Sequence, residues 1–130
     1  MGLIKVYVAG PLNGPDAPSY IENLSKMLKV ARDIRRLGFA VFVPGQDFLL
    51  GLIDGNFDYS DYFHNGIEWL RVSDFLFVIN LSPGVKKEIK VAKKLGIPIV
   101  HSIDELLEKA KELKTMNNYS KPLIKYSSEK

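Results

Sequence analysis

The chain has 130 residues, 46% of them hydrophobic and 25% charged, which is enough for one compact core and argues against wholesale disorder. It has no cysteine, which removes a disulfide scaffold, a zinc ribbon, an iron–sulfur site and any thiol nucleophile. Its net charge of +3 mixes 18 basic with 15 acidic residues, a modest attraction to anions and not the basic stripe of a nucleic-acid binder.

Residues 3–9 (LIKVYVA) are apolar and rich in β-branched side chains. They stop at Gly10-Pro11, which predicts a buried strand. No basic region precedes them, so they do not read as a signal peptide. Val6 stands where a myristoylation pattern needs Ser or Thr. Pro11 to Pro18 holds three prolines with Asn13, Gly14 and Asp16, a loop composition. Ser19-Tyr20-Ile21-Glu22 has the spacing of a capping box with Ser19 as the N-cap. The helix it opens runs to about Leu37, with Leu24, Met27, Leu28, Ala31 and Ile34 at helical spacing, and Gly38 ends it.

Phe39 to Val43 is a second strand, stopped by Pro44-Gly45. Gln46 to Tyr59 reads as a long loop with a helical turn at most, and loops of this length are usually functional or mobile. A helix from about Ser60 to Arg71 places Phe63, Ile67 and Leu70 on one face. Tyr62 and Trp69 read as core residues and His64 as a surface one. Gly66 interrupts this helix at a cost on the order of 1 kcal/mol against alanine, so close backbone packing or space for a ligand is expected there.

Residues 74–80 (DFLFVIN) form the third strand, with Asp74 as a turn or capping residue. The apolar run from Phe75 to Ile79 is far below the roughly 18 residues of a membrane span. Ser82-Pro83-Gly84 opens a helix to Leu95, closed by Gly96. Ile97 to Val100 is the fourth strand. Ser102 to Glu105 is a second capping box, starting a helix to about Leu113. Residues 1–114 are therefore read as one domain, and residues 115–130 as a polar tail or docking arm.

Strands and helices alternate, and the strands are continuous apolar runs, so both sheet faces should be covered. The expected fold is α/β: a single doubly wound parallel sheet of four to five strands, flavodoxin- or Rossmann-like, with helices on both faces. Ligands in such folds sit beyond the carboxyl ends of the strands. That directs attention to the loops at Gly10–Pro18, Pro44–Tyr59 and Asn80–Gly84.

The helix from Pro83 to Leu95 carries one residue out of place. At about 100° per residue, Val85, Ile89, Val91, Ala92 and Leu95 share one arc, and five lysines fill the other. Glu88 falls inside the apolar arc. An unpaired buried carboxylate costs several kcal/mol or takes up a proton. Either Glu88 serves a purpose there, or the arc edge is solvated or pairs with an arginine elsewhere. Ser82 suits the N-cap, Pro83 the first helical position, and Gly84 a close approach to the backbone. The free N–H groups of such a helix start suit an anion, although an ordinary helix start has the same residues. The loop Gly10-Pro11-Leu12-Asn13 can present backbone N–H groups to a ligand, but it is neither a GxGxxG fingerprint nor a P-loop. The two histidines, His64 and His101, stand far apart and form no metal motif.

The succession VYVAGP, a strand ending at Pro44, EWLRVSDFLFVIN, and SPGVKKE before AKKLGIPIV resembles the nucleoside 2-deoxyribosyltransferase superfamily. It is most similar to the small branch with the 2′-deoxynucleoside 5′-monophosphate N-glycosidases. The resemblance covers about residues 3–101. It implies that Glu88 is a nucleophile at the anomeric carbon and that Tyr7 hydrogen-bonds and positions it. It also implies that Ser82 serves the 5′-phosphate, while Gly84 and the loop residues Gly10, Pro11, Leu12 and Asn13 remain candidate substrate contacts from their helix-start and loop positions alone. Serine at position 82 matches the nucleotide hydrolases, where the nucleoside transferases carry an aspartate. Gly66 aligns where the family usually has an acid beside the leaving base, so Asp58, Asp61 or a residue from a partner subunit is the possible substitute.

The resemblance further implies a homodimer or higher homo-oligomer acting on a small nucleotide or nucleoside, and the N-terminal pattern and short apolar runs make a cytoplasmic protein the default expectation. The chemistry implied by the resemblance requires no metal and no organic cofactor, while the mixed charge and short apolar runs lead us to expect no nucleic-acid and no membrane partner. The alternative is a non-catalytic nucleotide-binding protein on the same fold. A receiver-like signalling domain would need paired carboxylates at the end of the first strand, where Gly10-Pro11 stands instead.

Overall fold

The computed structural model of the protein describes residues 2–12, 16–45 and 59–117. Four parallel strands, β1 (Lys5–Ala9), β2 (Ala40–Phe42), β3 (Phe75–Val78) and β4 (Ile99–Val100), are ordered β2-β1-β3-β4. The helices between and after them are α1 (Ala17–Arg36), α2 (Tyr59–Arg71), α3 (Pro83–Leu95) and α4 (Ile103–Asn117). The chain winds from β1 outward to β2, then crosses to β3 on the other side of β1. This makes a doubly wound α/β sheet whose order reverses between β1 and β3.

The period-2 alternation of a strand decides which helix each side chain meets. Val6 and Val8 of β1, with Phe75 and Phe77 of β3, pack on Met27, Ala31 and Ile34 of α1 and Leu106 and Ala110 of α4. Tyr7 and Ala9, with Leu76 and Val78, pack on Ile67 and Leu70 of α2 and Val85 and Ala92 of α3. Each face of the sheet therefore buries its own apolar cluster under two helices, as the uninterrupted apolar strands predict. Among the described residues no helix is long and apolar enough to cross a membrane.

Several local expectations need correction. Helix α1 starts at Ala17, with Asp16 and not Ser19 as its N-cap; the Asp16 carboxylate accepts from the Ser19 amide at 2.8 Å. Pro18 lies in the first turn, where a missing N–H costs nothing. Trp69 is not a core residue: it is 50% exposed, stacked on Phe42 at a centroid distance of 5.4 Å. Leu95, at the end of the apolar arc of α3, is exposed. The last helix continues to Asn117.

Other local expectations match. Gly96 takes the left-handed conformation, φ 73°, that closes α3. Ser102 accepts from the Glu105 amide at 3.1 Å, and Glu105 reaches back to the His101 amide at 2.8 Å. Asp74 stands at a bend just before β3, but its carboxylate serves the neighbouring strand and not a local turn, accepting from the Lys5 amide of β1 at 2.8 Å.

Candidate active site

The reversal of strand order opens a crevice between the carboxyl ends of β1 and β3. A cavity of about 480 Å³ lies there. Its floor is Tyr7 and the turn Gly10-Pro11-Leu12 after β1, and its wall is the start of α3 from Ser82 to Val85, with Glu88 one turn on. Three of the loop regions singled out from the sequence contribute to it, the middle one through Pro44.

Glu88 and Tyr7 meet in this cavity. The Tyr7 side chain points to the α2–α3 face because it alternates with Val6 and Val8. Its hydroxyl donates a short hydrogen bond to Glu88 Oε2. Glu88 Oε1 has no partner among the described residues. Burial pushes the Glu88 carboxyl up to about 7, and the Tyr7 hydrogen bond opposes that rise. The apolar-arc position of Glu88 is thus a site of partial desolvation, offset by one phenol and not by an arginine.

Ser82 caps α3, its Oγ accepting from the Val85 amide at 3.1 Å. Having accepted, the hydroxyl still has its own proton to donate. The Gly84 amide, in the first turn, lies within the same cavity wall. Together with the helix dipole these donors favour an anion at the mouth of the cavity. Lys87 lines the cavity as well, while the other four lysines of α3 lie on its exposed face.

Sequence reasoning missed the aromatic wall. Tyr20 of α1 and Tyr62 and Phe63 of α2 also line the cavity. Tyr62 is therefore a site residue and not a core one. Burial raises the Tyr20 phenol above its ordinary value, and the nearby Tyr62 adds to the rise. The cavity thus combines aromatic surfaces with a carboxylate and a helix start. Their helical spacing reads equally as core in a sequence, so nothing there separates the two roles.

Asp61 is exposed and does not line the cavity. Asn13 and Asp58 lie outside the described residues. Glu88 is therefore the single carboxylate lining the cavity among the described residues. No group of three or more histidine or acidic side chains able to hold a metal ion occurs among them.

Fold and site together define an α/β protein with a ligand-sized cavity at its topological switch point, built around a part-buried tyrosine–glutamate pair. The chain belongs to a family described as Domain of unknown function (DUF4406), whose model matches residues 4–101. That span takes in every strand and the whole described wall of the cavity. No curated protein matches the chain.

Proposed function

We propose that the protein cleaves or transfers the N-glycosidic bond of a nucleoside 5′-monophosphate or nucleoside through a covalent glycosyl–Glu88 intermediate. The observation that carries this reading is the Tyr7–Glu88 hydrogen bond inside the switch-point cavity. It is the arrangement that the resemblance to the deoxyribosyltransferase superfamily implies, and it needs no metal and no organic cofactor.

Glu88 Oε1 attacks C1′ as the bond from C1′ to the base nitrogen breaks, through an oxocarbenium-like transition state. The base leaves with the bonding pair and takes up a proton. Water then attacks C1′ and loses a proton to solvent, which restores the carboxylate; a second base attacking instead makes the reaction a transfer. Tyr7 holds Oε2 and so aims Oε1. The Ser82 hydroxyl and the α3 start favour a 5′-phosphate, which an aspartate at position 82 would repel. Tyr20, Tyr62 and Phe63 offer surfaces for the base. We take the protein to act in the cytoplasm and, as the resemblance implies, as a homo-oligomer.

The second reading is nucleotide binding without cleavage. It is favoured by the lack of a second carboxylate along the described cavity wall to assist the leaving base. Chromatographic detection of free base separates the two, using ribo- and deoxyribonucleosides and their monophosphates with Glu88→Ala in parallel. Release abolished in the variant is expected. Saturable binding with no release from any substrate would leave the binding reading.

A further inference from the structure

Gly66 sits in the interior of α2, where glycine is unfavourable. Its backbone does not require it, because the positive-φ glycines among the described residues are Gly38 and Gly96. The surroundings do. A methyl group built on Gly66 would lie 2.8 Å from the Tyr7 hydroxyl oxygen, closer than real side chains approach. The only other atom near it among the described residues is Tyr7 Cζ, at 3.9 Å. The conflict is therefore confined to the end of one side chain, and that end holds Glu88.

We propose that Gly66 is a positioning residue, whose missing side chain opens the notch in α2 that lets the Tyr7 hydroxyl reach the Glu88 carboxylate. Tyr7 has little alternative room: the residue is 1% exposed, and its ring centroid lies 5.4 Å from that of Phe42. Any atom on Gly66 drives the hydroxyl away from Glu88 or drives α2 away from the sheet. The value of this notch to catalysis rests on the proposed glycosyl transfer, whereas the notch itself rests only on geometry. By the same geometry an acid at position 66 does not suit this chain, since its Cβ would lie 2.8 Å from the hydroxyl oxygen.

The test reads Glu88 directly, by carbon-detected NMR titration of the glutamate carboxyls, with Glu88→Gln assigning the signal. The other titratable groups lining the cavity are Tyr20 of α1, Tyr62 of α2 and Lys87 of α3, and all are retained in the variants. Losing one hydrogen bond to the charged form should move the Glu88 midpoint upward by about one pH unit. Gly66→Ala is expected to give this shift, Tyr7→Phe the same shift, and the double variant no further shift. A Gly66→Ala protein that is less heat-stable but keeps the wild-type Glu88 midpoint would overturn the proposal, because α2 and not Tyr7 would have moved. If Gly66→Ala alone does not fold, rescue by Tyr7→Phe supports the notch and failure of rescue contradicts it. The titration needs no substrate, so its outcome is independent of whether the protein cleaves nucleotides.

Discussion

The Tyr7 hydroxyl and the Glu88 carboxylate, 81 positions apart in the chain, share a hydrogen bond at the point where the strand order reverses. Strand β1 supplies the phenol and α3 the carboxylate. The parallel pairing of β1 with β3, Ala9 opposite Val78, brings the two elements together. Burial and hydrogen bonding act on Glu88 in opposite directions, and burial prevails.

That balance sets a pH profile. A nucleophilic carboxylate must be ionised, and Glu88 titrates at about 7. On the proposed reaction, kcat/KM for base release should therefore climb about tenfold per pH unit below 7 and level off above it. Tyr7→Phe removes the interaction that favours the ionised form, so the rising limb should move to higher pH. A profile that falls through neutrality would assign Glu88 the role of an acid instead.

The same group couples pH to stability. Its ordinary value is 4.5 and its folded value about 7, so between these the folded protein binds the additional proton. The contribution of Glu88 to stability is then fully present below 4.5 and is lost as pH rises through 7. The difference amounts to at most about 3 kcal/mol. Glu88→Gln should match the wild type in denaturant unfolding near pH 4 and exceed it near pH 8. Equal stabilities at both pH values would mean that the carboxyl is not desolvated.

Ser82 offers a test of phosphate preference that leaves the helix cap in place. Aspartate caps helices as well as serine does, so Ser82→Asp should retain the fold. It puts a negative charge where the phosphate is proposed to bind. Monophosphate turnover should drop more than tenfold through KM, with nucleoside turnover unchanged, a penalty on the order of 1–2 kcal/mol. Ser82→Ala, by contrast, should cost about 1 kcal/mol of stability through loss of the cap to Val85. Equal losses on both substrate types from Ser82→Asp would count against a phosphate contact.

The fold was legible because its signals are local and repeated. Continuous apolar strands such as Phe75 to Val78 demand cover on both faces, and α3 declares its start at Ser82 and its stop at Gly96. The anomaly of Glu88 was legible too, since a helical wheel isolates one carboxylate among apolar residues. The reason for Gly66 was not, because the atom it accommodates belongs to a strand far away in the chain. Tyr20 and Tyr62 were obscured for a related cause: helical spacing marks a side chain as inward-facing but does not say whether it meets core or cavity. Asp16 capped α1 ahead of Ser19 because Pro18 tolerates the first turn of a helix, which the capping-box pattern does not register.

The most direct test of the central claim is to trap the intermediate. The protein is incubated with a monophosphate bearing fluorine at the sugar 2-position, which slows breakdown of a glycosyl-enzyme by destabilising the cationic transition state. It is then acid-quenched and analysed by intact and peptide mass spectrometry. A mass increase equal to the fluorinated sugar phosphate, located on Glu88 and missing in Glu88→Gln, is predicted. Free base released at the wild-type rate by Glu88→Gln, with no adduct on either protein, would contradict nucleophilic catalysis by Glu88.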